Sequence, residues 1–487
     1  MTSEEPDASP AAEVLVEGVP AAMSLAPSAG VPALGGELLL DAEGHAGVES
    51  MRAGLLQAGP LAAAGVVANG ANVLMTVALA RLLTPHGYGV LNQLTGLFLI
   101  LSMPGSAVVV AVVRRVTMWH EDGSVHLVRR WAGRIHRQGT MIVLLWGVIV
   151  FVSRHPVAVL LNQQSGIGIA AILSAAAFFV LLSLDRGLLQ ARRAYRPLAA
   201  NLVIEGGVRT VMIIVLVAAG TGSSGAAVGV LIAEVVAAGH ARYAAVLSWS
   251  GTRSRGPSVI SGWLAAVRRD PVLGDSPVER HKVVLDLVVA SVSLSMLAVL
   301  QNVDVLVLGR DNPTHSGAYA AVSVTSKAIV FGAIVLGGYL LPEAAIRWRR
   351  GGHALRQLAV VLTILAVPAA ILLLVAVTAP HLLLQVVFHH TYTSAAPAMA
   401  PLVMAMIVLS LSVVVTMYLL AVGRRWVAGV LVAGAAALTL AETLVHGAPR
   451  ATATADLIVQ LAVMIVLVSG FTVIHRVRLR RHPARLS

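Results

Sequence analysis

Glu205, Arg209, Glu234, Asp286, Asp304 and Lys327 all fall within or at the edge of long apolar runs, where a charge needs a reason to exist. At bilayer depth a charge costs from a few to about 10 kcal/mol unless it meets a partner or a water-filled cavity. Lys327 has no acid within four residues along its own run, which makes it the sharpest candidate for meeting an anion. Arg209 follows Glu205 by four residues, on one helix face. It is either a second cation offered to a ligand or half of a self-neutralised pair. Together Arg209 and Lys327 suit a multiply anionic group, which a cation attracts more strongly at low dielectric than in water. A structural tie of Lys327 to Glu234 or Asp304 is the competing reading. Glu205, Glu234, Asp286 and Asp304 are candidate proton or cation carriers, while Asp286 and Asp304 also read as solvated helix-end charges. Arg81 and Arg310 occupy similar turns, to draw a headgroup or to anchor helix ends.

Other chemistries find little support. The chain has no cysteine, which excludes disulfides, thiolate metal sites and cysteine nucleophiles. His389 and His390 are adjacent, and the i,i+4 spacing that puts two ligands on one helix face is missing, so no metal site is expected. No cofactor and no catalytic residue is expected either: no sizeable loop carries an Asp-x-Asp or Gly-rich nucleotide motif.

The elements that position these charges are apolar stretches of roughly 20 residues, each able to cross a hydrocarbon core about 30 Å thick as a helix. Twelve are expected, over about 60–80, 90–113, 138–153, 168–185, 198–219, 224–247, 283–308, 318–341, 357–378, 397–420, 426–445 and 456–475. Arg154, His155 and Pro156 interrupt the third, whose helix starts earlier, near Trp131, if Arg134 and Arg137 reach the interface. With 57% hydrophobic and 12% charged residues the chain is no soluble globular protein. Residues 1–58 carry nine acids and one Arg with little periodic apolar content, and are expected to form a disordered acidic tail.

A net charge of +12 would suggest nucleic acid in a soluble chain. Here 29 of the 35 Lys and Arg fall on one side of the expected spans, and Arg81, Arg154, Arg310 and Arg450 on the other. By the positive-inside rule both termini are cytoplasmic in a multi-pass protein of the cytoplasmic membrane, with membrane lipids and no nucleic acid as partners.

The chain also repeats itself. Tyr88 and Tyr319 follow similar turns 231 residues apart, and Leu188-Leu189 before Arg192-Arg193 matches Leu419-Leu420 before Arg424-Arg425 at the same offset. The expected fold is therefore an all-α polytopic membrane protein of about twelve transmembrane helices in two pseudo-symmetric six-helix bundles, 59–247 and 283–475. A basic linker, 248–282, joins them, and a basic tail, 476–487, follows. Gly and Pro at Asn69-Gly70, Pro104-Gly105 and Pro368 serve either bending or close packing.

Ala80-Arg81-Leu-Leu-Thr-Pro-His-Gly-Tyr88-Gly89, Asn302-Val-Asp304-Val-Leu-Val-Leu-Gly309-Arg310 with Gly317-Ala-Tyr319, Arg186-Gly187-Leu-Leu-Gln190 with Tyr195, and Phe388-His-His-Thr-Tyr392 leading to Pro397 stand in order along residues 60–475. They resemble the polysaccharide-flippase branch of the multidrug/oligosaccharidyl-lipid/polysaccharide exporter superfamily. The resemblance implies an alternating-access transporter that moves a lipid-linked oligosaccharide or polysaccharide precursor, with polysaccharide-assembly proteins as further partners. The acidic leader departs from the family core, and no Asp or Glu stands in the first span, where drug-antiporter relatives place one. A drug/cation antiporter of the same superfamily, an enzyme of polysaccharide biosynthesis and a membrane scaffold remain as alternatives.

Overall fold

The computed structural model describes residues 71–481 apart from 73–74, 122–124, 164, 251–276, 335, 337–354 and 422. The acidic leader, most of the basic linker, Asn69-Gly70 and tail residues 482–487 lie outside the described residues.

Prolines set many of the starts. A helix tolerates Pro in its first turn because that N–H has no intrahelical acceptor. Pro85 opens α2 (Pro85–Glu121), Pro277 opens α8 (Pro277–Asp311), Pro313 opens α9 (Pro313–Ser326, resuming to 334), and Pro449 opens α14 (Pro449–Arg481). Asn312 caps α9, its side chain accepting from the His315 amide. Between them run α1 (75–82), α3 (Val125–Val152), short α4 (Arg154–Leu160), α5 (Gly166–Ala191), α6 (Tyr195–Leu216) and α7 (Gly222–Ser250). The second half continues with α10 (Leu355–Thr378), short α11 (Pro380–Val387), a 3₁₀ approach over His390–Ala398, α12 (Met399–Ala421) and α13 (Trp426–Leu444).

Ten helical segments of the described residues are long and apolar enough to cross a membrane. One of them, Tyr195–Trp249, is two crossings, because α6 and α7 pack side by side about a reversal at Gly220 and Gly222. Gly220 at φ +83° and Gly222 at φ +62° take left-handed backbone that a side chain would strain. α1 is the described end of the first expected span. The third helix does begin before Trp131, and Arg154-His155-Pro156 fold into α4.

Two halves are visible in the element order. α3 is followed by short α4 and α10 by short α11, and α6 and α13 start 231 residues apart at Tyr195 and Trp426. Central and peripheral helices differ sharply in burial: 67% of the apolar window of α5 is buried against 11% of that of α3. Met141, Ile142, Leu145, Val148 and Phe151 of α3 are exposed, a surface suited to lipid. Gly105 of α2 packs on Phe179 and Ser183 of α5, so it serves close approach there; Pro104 sits beside it without interrupting α2.

The halves meet at the end bearing the Pro85 and Pro313 turns. Gly89 of α2 lies against Ser316 and Gly317 of α9, and a Cβ on Gly317 would strike the Pro85 carbonyl. Around this contact the Tyr392 hydroxyl donates to the Ala80 carbonyl at 2.8 Å, Asn162 Nδ2 to the Arg310 carbonyl at 3.1 Å, and Gln93 Nε2 to the Leu306 carbonyl at 3.4 Å. Tyr88 stacks edge-on against Tyr392 at 5.5 Å and tilts against Phe388 at 6.1 Å. At the opposite, arginine-rich end, the buried cluster of Val116, Trp119, Val128, Leu188, Leu189 and Trp249 belongs to the first half alone. The described halves are thus closed together at one end of the bundle.

Candidate functional site

Two buried charge clusters lie inside the bundle, one in each half. In the first, α5 supplies Arg186, α6 supplies Asn201, Glu205 and Arg209, and α7 supplies Glu234. Arg186 donates through Nε to Asn201 at 2.7 Å and through Nη2 to Glu205. Arg209 donates to Glu205, one helical turn earlier, and to Glu234 at 2.5 Å. Asn201 in turn holds the Ala237 carbonyl at 2.8 Å, which ties the cluster to the α7 backbone. Two guanidinium groups face two carboxylates, so the formal charge closes to zero. One oxygen of Glu234 and Nε of Arg209 are left without a hydrogen bond. Toward the arginine-rich end, Asp185 stands 3.0 Å from His136 and 3.3 Å from Arg242.

The second cluster has a different balance. Asp304 of α8 receives Lys327 Nζ of α9 at 3.1 Å, the Ser323 hydroxyl at 3.0 Å and the Tyr319 hydroxyl at 3.2 Å. Glu442 of α13 and Asp456 of α14 are also fully buried in this half, on helices that pack against α8. Both oxygens of Glu442 lack a hydrogen bond, as does one of Asp456, whose other oxygen accepts from Gln460 at 3.1 Å. Three fully buried carboxylates thus stand in this half with one buried lysine, which is bonded to Asp304. Among the described residues no group of three or more His, Asp and Glu is gathered to hold a metal ion.

Lys327 also reaches the space between the halves. A cavity of about 40 Å³ is lined by Thr76, Asn92 and Thr95 from the first half and by Asn302, Ser323 and Lys327 from the second. Leu99, Val305, Val324 and Phe331 supply its apolar walls. The lining is thus apolar with a few polar groups and one cation.

The residues singled out from sequence divide accordingly. Lys327 lines the cavity and pairs with Asp304. Arg209 is paired with both Glu205 and Glu234 and does not line that cavity. Asp304 is wholly buried, unlike a solvated helix-end charge. Arg81 and Arg310 are exposed near the Pro85 and Pro313 turns. Asp286 lies on α8, with its side chain outside those described. From sequence, Arg186 is named only within a family motif, and Glu442 and Asp456 are not singled out. The available signal was weak: Arg186 stands just before Arg192-Arg193, Glu442 in a last helical turn and Asp456 near a first one.

No protein-family model matches the chain, and no curated protein sequence matches it significantly. Solved structures do. An inward-facing multidrug resistance MATE family transporter of the MOP superfamily aligns with a TM-score of 0.59 at 10% identity, over 83% of this chain and 95% of that one. An outward-facing member described in the same words aligns at 0.54 and 14% identity, over 92% and 98%. A MOP superfamily transporter from Pyrococcus furiosus, described as having a binding pocket of reverse polarity that suggests a different function, aligns at 0.55 and 11%, over 86% and 95%. The chain has the fold of these transporters, an all-α polytopic membrane architecture of two helical bundles.

Proposed function

We propose that this protein is an alternating-access membrane transporter whose cargo carries an anionic headgroup, of the class of a lipid-linked oligosaccharide or polysaccharide precursor. The observation that supports it most is the placement of Lys327: a buried cation on the wall of a cavity between the two halves, among hydroxyls and amides suited to sugar. In a low-dielectric cavity an ammonium attracts a pyrophosphate far more strongly than it does in water. Arg209, neutralised twice over, braces the first half in this reading.

The arginine-rich end is cytoplasmic by the distribution of Lys and Arg. The closed Pro85 and Pro313 end is then the outer one, and the described conformation is sealed toward the outside. Cargo enters from the cytoplasmic side, the headgroup in the cavity and the lipid tail in the bilayer. Opening of the outer contact around Gly89, Gly317, Tyr88 and Tyr392 releases it. The protein folds as a transporter and carries no proposed catalytic chemistry.

A drug or cation antiporter is the second reading, favoured by the unpaired carboxylates of Glu442 and Asp456. Vesicles reconstituted with the purified protein separate the two. Movement of a fluorescent polyprenyl-pyrophosphate-linked sugar to the opposite leaflet, well above protein-free vesicles, is expected. Exchange of a cationic dye for protons with no lipid movement overturns the flippase reading.

A further inference from the structure

Lys327 belongs to two sites at once. Its ammonium rests 3.1 Å from Asp304 and 3.5 Å from the Asn302 side-chain oxygen, and both Lys327 and Asn302 line the cavity between the halves. Asp304 does not line that cavity, nor do the two other buried carboxylates of this half, Glu442 and Asp456. Further buried polar atoms there are unpartnered: Gln460 Oε1 on α14 and the Thr452 hydroxyl. The backbone is also irregular at this residue. Lys327 has ψ −10°, and its carbonyl accepts a tight bond from the Val330 amide at 3.0 Å besides that from Phe331. A short 3₁₀ stretch inside a helix is a frequent place for a hinge.

We propose that Lys327 is exchanged between Asp304 and the anionic headgroup of the cargo, so that cargo binding and proton uptake by the Asp304, Glu442 and Asp456 cluster promote one another. This rests on the transport reading above. When a phosphate draws the ammonium off Asp304, that buried carboxylate loses its ion-pair partner in a half that holds two more buried carboxylates, and the next positive charge is held more tightly. By linkage the reverse holds to the same factor: a proton on the cluster frees the lysine for the anion. The motion is small, because four rotatable methylene carbons let the ammonium swing without backbone displacement. The groups bonded to Asp304 are Lys327, Tyr319 and Ser323 from α9, and the other buried carboxylates of this half are Glu442 on α13 and Asp456 on α14, both helices packed against α8. Tyr319 and Ser323 keep two donors on Asp304 while the lysine is away.

The test is calorimetric binding of farnesyl pyrophosphate to the whole protein in lipid nanodiscs, in buffers of different ionisation enthalpy. Wild type is expected to take up roughly one proton per probe bound beyond the probe's own titration, and to bind it about tenfold more tightly for each pH unit lowered, within the 5–150-fold range usual for coupled sites. Asp304→Asn is expected to bind at least as tightly as wild type at low pH, with the excess uptake abolished. Should that variant fail to fold, Glu442→Gln with Asp456→Asn keeps the Lys327 pair and is expected to lower the excess uptake. Probe binding by wild type with no excess proton uptake overturns the linkage and leaves the transport reading standing. A rise in affinity driven by sodium at constant pH, without proton uptake, overturns the proton assignment. Failure of wild type to bind the probe while binding a cationic dye strikes the transport reading itself, and the linkage with it.

Discussion

The two halves share one helical plan and put buried charge to opposite use. In the first half Arg186, Glu205, Arg209 and Glu234 form a closed set of two cations and two anions that crosses from α5 through α6 to α7. In the second half Lys327 pairs with Asp304, Glu442 and Asp456 are buried as well, and half the oxygens of the three carboxylates have no donor. The offset relating the halves makes the difference plain. At 231 residues from Glu205 and Arg209 stand Ala436 and Leu440, and 231 before Lys327 stands Gly96, which lines the same cavity. A repeated scaffold has thus acquired a brace on one side and a chargeable site on the other. A charge-balanced cluster resists change, whereas one with excess carboxylates responds to whatever supplies protons or draws off its lysine.

Substitutions that remove charge should separate the two. Glu205→Ala leaves two buried guanidinium groups without their shared acid, a loss of about 3–5 kcal/mol for a broken buried pair. A collapse of folded yield and melting temperature in detergent is expected; a normal melting curve would break the contrast from the first-half side. Gly317→Val drives a side chain into the Pro85 carbonyl at the meeting of the halves, an overpacking of about 1–3 kcal/mol. Because the chain has no cysteine, single cysteines placed at Tyr88 or Tyr392 report that opening directly, and the valine variant should raise their labelling from the outside. Unchanged labelling would mean that the closure does not depend on this contact.

The opposite sign is expected in the second half. Glu442→Leu removes a buried carboxylate with no hydrogen bond, and relief of an unsatisfied polar group is worth about 1–3 kcal/mol. Its melting temperature should rise or hold while transport falls, and marked destabilisation would show that Glu442 is held by a partner. The smallest effect belongs to Tyr392→Phe, which gives up one bond to the Ala80 carbonyl at a cost of about 1 kcal/mol. Slightly faster opening of the outer end, with stability nearly unchanged, is the expected outcome in the same labelling assay.

The contrast between halves was only partly readable before the structure. Long apolar runs separated by Pro, Gly and Arg gave away the crossings, because a spanning helix must satisfy its own backbone over a fixed length. Lys327 and Arg209 stood out for the same reason, being charges where length demands apolar residues. Their roles did not. Whether Arg209 faces a ligand depends on Glu234, which bonds it from α7, and on Arg186 of α5, which bonds the same Glu205, and no spacing along α6 announces them. Glu442 and Asp456 were hidden by position. A charge in a terminal turn usually meets water, and only the packing of α13 and α14 on α8 shows that these two do not.

Lys327 carries the central claim, and its removal in working protein tests it most directly. Leaflet-to-leaflet movement of a polyprenyl-pyrophosphate-linked sugar should be measured in vesicles holding wild type, Lys327→Gln or Lys327→Arg, after each is shown to melt as a folded protein. The expected result is a loss of more than about tenfold with glutamine, equivalent to roughly 1.4 kcal/mol or more of lost headgroup stabilisation, and partial recovery with arginine. Wild-type rates in the Lys327→Gln vesicles would contradict it.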